Sequence, residues 1–298
     1  MRSTPSKDLQ LPLGIANEVT SQLARPEPAK KKSSRFTEIA YDQIMAPSAS
    51  TPHTAASARK TDPLEAARQR LILALDVPDT SAALDLLERL EGTCTWFKVG
   101  LELFVAAGPS VLEPILARGY SVFLDLKFHD IPNTVAGAVR SAARLGARMT
   151  TVHASGGPAM LTAARKALEG VADPPEVLAV TMLTSMDTEQ MSDVGLERSP
   201  AQQVNLLAQM TLESGIRGFV CSPQEVAAVR ALAGAEAAIV VPGIRPTGAD
   251  TADQKRIATP AETLRMGASY VVVGRPITQS SHPAEAASAI LAEMATAL

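Results

Sequence analysis

Between residues 125 and 130 the chain places two carboxylates around one ammonium, in Asp125-Leu126-Lys127-Phe128-His129-Asp130. The apolar run Val122-Phe123-Leu124 leads directly into it. Side chains two apart share a face of a strand, so Asp125 and Lys127 would stand side by side at a strand end. Another lysine interrupts an apolar run in Phe97-Lys98-Val99. Lys98, Lys127, Lys166 and Lys255 are the only lysines from residue 71 onward, so two of the four fall on such runs. A lysine in an apolar strand is costly unless it is paired. Separate structural ion pairs would account for each one. The more demanding reading joins Lys98, Asp125, Lys127 and Asp130 into an alternating array, each charge holding its neighbours ionised. An ammonium held in this way can give a proton to a developing carbanion. A fixed carboxylate disfavours a second anion beside it.

A second set of residues has the chemistry of a phosphate site. In Val273-Gly274-Arg275 the glycine permits close backbone approach and the arginine can form a forked pair with phosphate. Residues 243–254 add Arg245, Thr247, Gly248 and the side-chain amide of Gln254. His129 and His153 could ligate a metal, but no third ligand stands at a suitable spacing. His153 therefore reads as a hydrogen-bonded histidine and His129 as its support. His53 and His282 read as exposed, and Trp96 as core. No Gly-x-Gly-x-x-Gly opening and no Walker-type loop is present, so nothing argues for a nucleotide cofactor.

The elements that must position these residues are strands and helices in alternation. Short β-prone runs lie at 71–75, 95–99, 121–126, 149–152, 177–182, 218–221, 238–241 and 270–273. Between them run Ala- and Leu-rich segments with helical spacing. In the first, Ala83, Leu86, Leu87 and Leu90 form one face behind the N-cap candidates Asp79, Thr80 and Ser81. Eight strands with helical crossovers imply a parallel sheet. Recurrence every roughly 25 to 30 residues favours a closed (β/α)₈ TIM barrel of α/β class over an open sheet. Residues 184–200, the polar part of the longest interval, read as a loop over the barrel mouth. Active sites of such barrels sit at the carboxyl ends of the strands, with phosphate often bound after the seventh and eighth. Read in order, those ends carry Asp76, Lys98, Asp125 with Lys127, His153, Thr184, Pro242-Gly243-Ile244-Arg245 and Gly274-Arg275.

Composition bounds the rest. The 298 residues are 46% apolar and 20% charged with a net charge of −3, which suits a soluble globular protein. That balance gives no global attraction to nucleic acid or to an anionic membrane. No stretch approaches the roughly 18 apolar residues of a membrane span. Cys94 and Cys221 match no metal or redox spacing and read as buried free thiols in a reducing, cytoplasmic setting. Residues 1–66 differ from the remainder: they are rich in Ser, Thr, Pro and Ala, with the basic run Lys30-Lys31-Lys32 and no sustained periodicity. They read as a disordered extension, with at most a short helix at 35–45, ahead of a barrel domain at 67–298. A targeting peptide fits less well with Asp8, Glu18 and Glu27. A start at Met45 is a third reading.

The stretch from Asp125 through Ile131-Pro132-Asn133-Thr134 resembles the signature of the orotidine 5′-phosphate decarboxylase family. The resemblance continues in order through Leu73-Ala74-Leu75-Asp76, Phe97-Lys98-Val99-Gly100, Leu183-Thr184-Ser185-Met186, Pro242-Gly243-Ile244-Arg245-Pro246, Asp253-Gln254 and Val273-Gly274-Arg275-Pro276-Ile277-Thr278. It implies cofactor-independent loss of carbon dioxide from orotidine 5′-phosphate to give uridine 5′-phosphate, without metal, as the last step of pyrimidine nucleotide synthesis. Lys127 would protonate C6, Asp125 would face the substrate carboxylate, and Lys98 and Asp76 would hold the ribose. Thr184 would lie near the pyrimidine, with Arg245, Gln254, Gly274 and Arg275 towards the phosphate. Asp130 and Thr134 would reach into a neighbouring subunit's site, which implies a homodimer with shared active sites. Two rivals stand beside this reading. One is a magnesium-dependent sugar-phosphate decarboxylase or aldolase of the same barrel superfamily, sharing Asp125, Lys127 and Asp130. The other is a non-catalytic nucleotide-binding barrel.

Overall fold

The computed structural model describes residues 62–246 and 258–298. Most of the 1–66 extension, the helix expected at 35–45, and Thr247, Gly248 and Gln254 lie outside the described residues.

Eight strands form: β1 (Leu71–Ala74), β2 (Trp96–Gly100), β3 (Ser121–Phe128), β4 (Met149–His153), β5 (Glu176–Val180), β6 (Gly218–Val220), β7 (Ala238–Val241) and β8 (Tyr270–Val273). They pair in sequence order, all parallel, and β8 returns to β1 to close the barrel. Each expected strand is present, and no end moves by more than two residues. The described helices are α1 (Pro63–Arg68), α2 (Thr80–Arg89), α3 (Leu101–Ala107), α4 (Glu113–Leu116), α5 (Pro132–Arg144) and α6 (Gly157–Lys166) in the first half. The second half holds α7 (Thr188–Asp193), α8 (Pro200–Glu213), α9 (Val226–Ala233), α10 (Pro260–Arg265), α11 (Arg275–Thr278) and α12 (Pro283–Ala295).

Strand alternation sorts the apolar residues into two cores. Leu71 and Leu73 face the helices, with Phe97, Val99, Val122 and Leu124 beside them. Ile72, Phe123, Met149, Leu178, Val240 and Val272 fill the barrel interior, and Trp96 and Tyr270 pack against them, edge to face with each other. Two residues on from Trp96, Phe123 and Met149, the same interior face must carry Lys98, Asp125 and Thr151. The charged groups therefore stand on an apolar plug.

Local chemistry sets the helix starts. Asp79 accepts from the amide of Ala82 at 2.9 Å and begins α2, whose buried face is Ala83, Leu86 and Leu87. Pro132 opens α5, which buries Val135, Ala136, Val139 and Ala142. Residues 184–200 are more than a loop. Asp187 and Gln190 cap α7 reciprocally, and Met191 anchors it in the core at 0% exposure. The boundary drawn after residue 66 falls inside α1, which Asp62 caps and which packs against α12. Among the described residues no helix is long and apolar enough to cross a membrane. Cys94 and Cys221 are buried, and burial pushes the Cys94 thiol up to about 12.

Candidate active site

The lysines and aspartates meet at the carboxyl ends of β1, β2 and β3. Lys98 Nζ lies 2.8 Å from Asp76 Oδ1 and 3.8 Å from Asp125 Oδ2. Lys127 Nζ lies 2.9 Å from both oxygens of Asp125. Lys98 and Asp125 are buried, whereas the Asp76 side chain is 53% exposed at the rim. Within one chain the array thus runs Asp76, Lys98, Asp125, Lys127. Asp130, expected as its fourth member, stands outside it: the carboxylate is exposed and accepts from the amide of Ile131 at 2.6 Å. The strand ends at Phe128, and the turn into α5 carries Asp130 away from the interior. Within the chain, Asp76 is the second carboxylate on Lys98.

The backbone that delivers Lys127 is irregular. Leu124 pairs with Thr150 and Phe128 with Val152, so four steps along β3 match two along β4. The surplus forms a bulge, and Lys127 sits in it with φ 51°, in the left-handed region. Thr151 Oγ1 accepts from the Lys127 amide at 2.8 Å and lies 3.0 Å from Asp125 Oδ1. Thr151 was not anticipated, because only strand ends were read for chemistry; its lumen-facing position in Met149-Thr150-Thr151 was the available signal. Gly100 is a second omission. A Cβ there would stand 2.8 Å from Lys98 Nζ and 3.4 Å from Asp76 Oδ1, so the bare glycine leaves room for the ion pair.

Three members of the array, Lys98, Asp125 and Lys127, form one wall of a cavity of about 180 Å³. Lys98, Asp125, Lys127 and Thr184 supply its polar side, and Phe123, Val180, Met182, Val220, Val240 and Val272 its apolar side. Fixed charges against an apolar surround act more strongly than in water. Beside the array, His153 and His129 place their rings 5.3 Å apart. Burial holds His153 below the ordinary histidine value, and the charges of His129 and Lys127 add to this against the opposing pull of Asp125. Among the described residues no three His, Cys, Asp or Glu side chains group as metal ligands.

The residues expected near a phosphate are placed unevenly. Gly274 follows β8 next to the rim, where a Cβ would come within 3.7 Å of Asp76 Oδ2. Arg275 follows it and opens α11. Arg245 is buried and donates to the carbonyl of Ile244 at 2.9 Å. Gln254 lies outside the described residues. Thr134 is exposed in the first turn of α5 and, like Asp130, does not line the cavity.

Fold and site together define a (β/α)₈ barrel with two lysines held in a charged array at the strand ends. The family model of the orotidine 5′-phosphate decarboxylase / HUMPS family matches residues 69–290, and the chain belongs to that family. It is 51% identical over 234 residues to the orotidine 5′-phosphate decarboxylase of Moorella thermoacetica, covering 76% of this chain and 93% of that protein. Identity to the enzyme of the same name from Saccharophagus degradans is 48% over 228 residues, covering 76% and 96%. The crystal structure of orotidine 5′-phosphate decarboxylase from Lactobacillus acidophilus superposes with a TM-score of 0.68 at 39% identity, covering 76% of this chain and 99% of that one.

Proposed function

We propose that the chain decarboxylates orotidine 5′-phosphate to uridine 5′-phosphate and carbon dioxide, with Lys127 as the proton donor. The observation that carries this is the Asp76–Lys98–Asp125–Lys127 array, whose Lys98, Asp125 and Lys127 line a largely apolar cavity. Two curated relatives near 50% identity bear the name of that enzyme, which supports the same substrate.

The chemistry needs this kind of site. When the C6–carboxylate bond breaks, its electron pair stays on C6 in an orbital with no adjacent electron sink. Stabilisation must then come from a cation already in place. The Lys127 ammonium supplies that charge, transfers a proton to C6 and recovers one from solvent. Asp125 holds Lys127 and faces the substrate carboxylate, which leaves as neutral carbon dioxide. Lys98 and Asp76 hold the ribose hydroxyls at the rim. The cavity is smaller than the roughly 300 Å³ or more of a whole-ligand pocket, so it suits the pyrimidine, with ribose and phosphate at the mouth. Thr184 lines the same cavity, which supports a place for it beside the base. Arg245, Gln254, Gly274 and Arg275 serve the phosphate, whose binding energy is spent on the distant bond-breaking step.

Asp130 and Thr134 serve the site of a second copy in a homodimer. In support, both are exposed and the large apolar Ile131 beside Asp130 is 67% exposed. A cytoplasmic setting agrees with two buried cysteines. The family name also covers a second branch, and a magnesium-dependent sugar-phosphate reaction would use Asp125 as a metal ligand. Here two ammonium groups already face that carboxylate. The test is a spectrophotometric assay with orotidine 5′-phosphate, with and without EDTA. Turnover unaffected by EDTA is expected; turnover abolished by EDTA and restored by magnesium would sink the reading.

A further inference from the structure

We infer that Thr151 is a positioning residue of the decarboxylation site, locking Lys127 in its left-handed backbone conformation and aiming Asp125. The inference rests on the function proposed above for the array. A left-handed φ is costly for a residue with a side chain, and it persists only where the surroundings enforce it. Lys127 carries φ 51° in the β3 bulge, where the regular pairing with β4 is broken. Its amide therefore needs an acceptor from outside the strand ladder. Thr151 supplies one: Oγ1 lies 2.8 Å from the Lys127 amide.

The direction of the remaining bond follows from the donors available. A hydroxyl has one hydrogen, and a carboxylate only accepts. With the Lys127 amide donating to Oγ1, the hydroxyl hydrogen goes to Asp125 Oδ1, 3.0 Å away. Lys127 Nζ then returns to the same carboxylate at 2.9 Å. The result is a closed ring that runs from the Lys127 amide through Thr151 and Asp125 to the Lys127 ammonium. One β4 side chain thereby holds both the proton donor's backbone and the carboxylate that orients its tip. Thr151 is 0% exposed, and branching at Cβ restricts its rotamer, so the hydroxyl is a fixed point.

The test uses the full chain and three variants. Thr151→Val keeps the shape and loses both bonds; Thr151→Ala does the same without bulk, should Val fail to fold. Thr151→Ser restores the hydroxyl. Kinetics with orotidine 5′-phosphate are expected to show kcat lowered about 10- to 100-fold in Val or Ala, the scale of a misplaced reacting group, with KM far less affected. Ser should return most of that loss. Hydrogen exchange of the Lys127 amide, read by NMR, should be protected in wild type and Ser and faster in Val or Ala. Wild-type kcat in both hydroxyl-free variants, or a Ser variant as impaired as Val, would overturn the inference. A wild type inert towards orotidine 5′-phosphate would instead overturn the proposed function. Lys127 amide protection would then still decide the backbone lock: protection unchanged in Val and Ala refutes it.

Discussion

Lys127 and Asp125 are two residues apart, and the ammonium of one lies 2.9 Å from each carboxylate oxygen of the other. On a regular strand, neighbours on one face stand parallel and lean together only at their tips. Here Lys127 sits in the β3 bulge with a left-handed φ, and its ammonium meets the carboxylate in a two-pronged contact. Asp125 is fixed from two further sides, by the Thr151 hydroxyl at 3.0 Å and by Lys98 at 3.8 Å. A reacting carbon placed in the cavity would meet a donor that need not reorganise, which is where electrostatic catalysis gains most.

Gly100 tests whether the upstream half of the array matters. Its backbone, at φ −98° and ψ −173°, accepts any residue, so Gly100→Ala introduces no backbone strain. The new Cβ would stand 2.8 Å from Lys98 Nζ, the mobile tip of a long side chain. The fold should absorb this while the ammonium moves off Asp76 and Asp125. Activity is expected to fall about 10- to 100-fold, with the melting temperature nearly unchanged. Wild-type kcat/KM in this variant would show that the Lys98 position is not required.

His153 makes stability depend on pH in a stated direction. Its folded-state value is depressed, chiefly by burial, below the ordinary 6.5. Between that lowered value and about 6.5 the unfolded chain binds the proton first, so stability is full above this window and declines as pH falls through it. Thermal melts from pH 7 to pH 5.5 should show a smaller acid-induced drop in His153→Gln than in wild type. Equal drops would mean that His153 titrates normally.

Removal of residues 1–61 should leave kcat and KM unchanged, because the family match begins at residue 69 and every described site residue lies beyond Asp76 or at it. A cut extended through Gln69 should behave differently. It removes α1, including the buried Ala67, from its packing against α12, and the melting temperature should drop. Steady-state kinetics and calorimetry on the two truncations distinguish these outcomes.

The barrel was legible because its strands are short apolar runs and most of its helix starts carry Asp, Ser, Thr or Pro. Both signals are local. The positions of Lys98, Asp125 and Lys127 at strand ends were legible for the same reason. Asp130 is exposed and outside the array of its own chain, where Asp76 pairs with Lys98. The Asp76 pairing depends on how β1 and β2 register, which spacing within one segment does not encode. The bulge left no mark either, since the residue with positive φ is a lysine and not a glycine. Thr151 gains its partners only through the slip of β3 against β4. Residues 184–200, read as a loop, hide a capped helix because Asp187 and Gln190 stand in a polar stretch with little apolar periodicity.

The central claim is that Lys127 gives the proton to C6. Its most direct test is the turnover of orotidine 5′-phosphate by wild type and by Lys127→Ala, each shown to be folded by circular dichroism. The account predicts robust decarboxylation by the wild type. In the variant it predicts a fall in kcat of about 10⁴-fold or more, the combined scale of a lost proton donor and a lost preorganised charge. A folded Lys127→Ala protein that decarboxylates at the wild-type rate would contradict it.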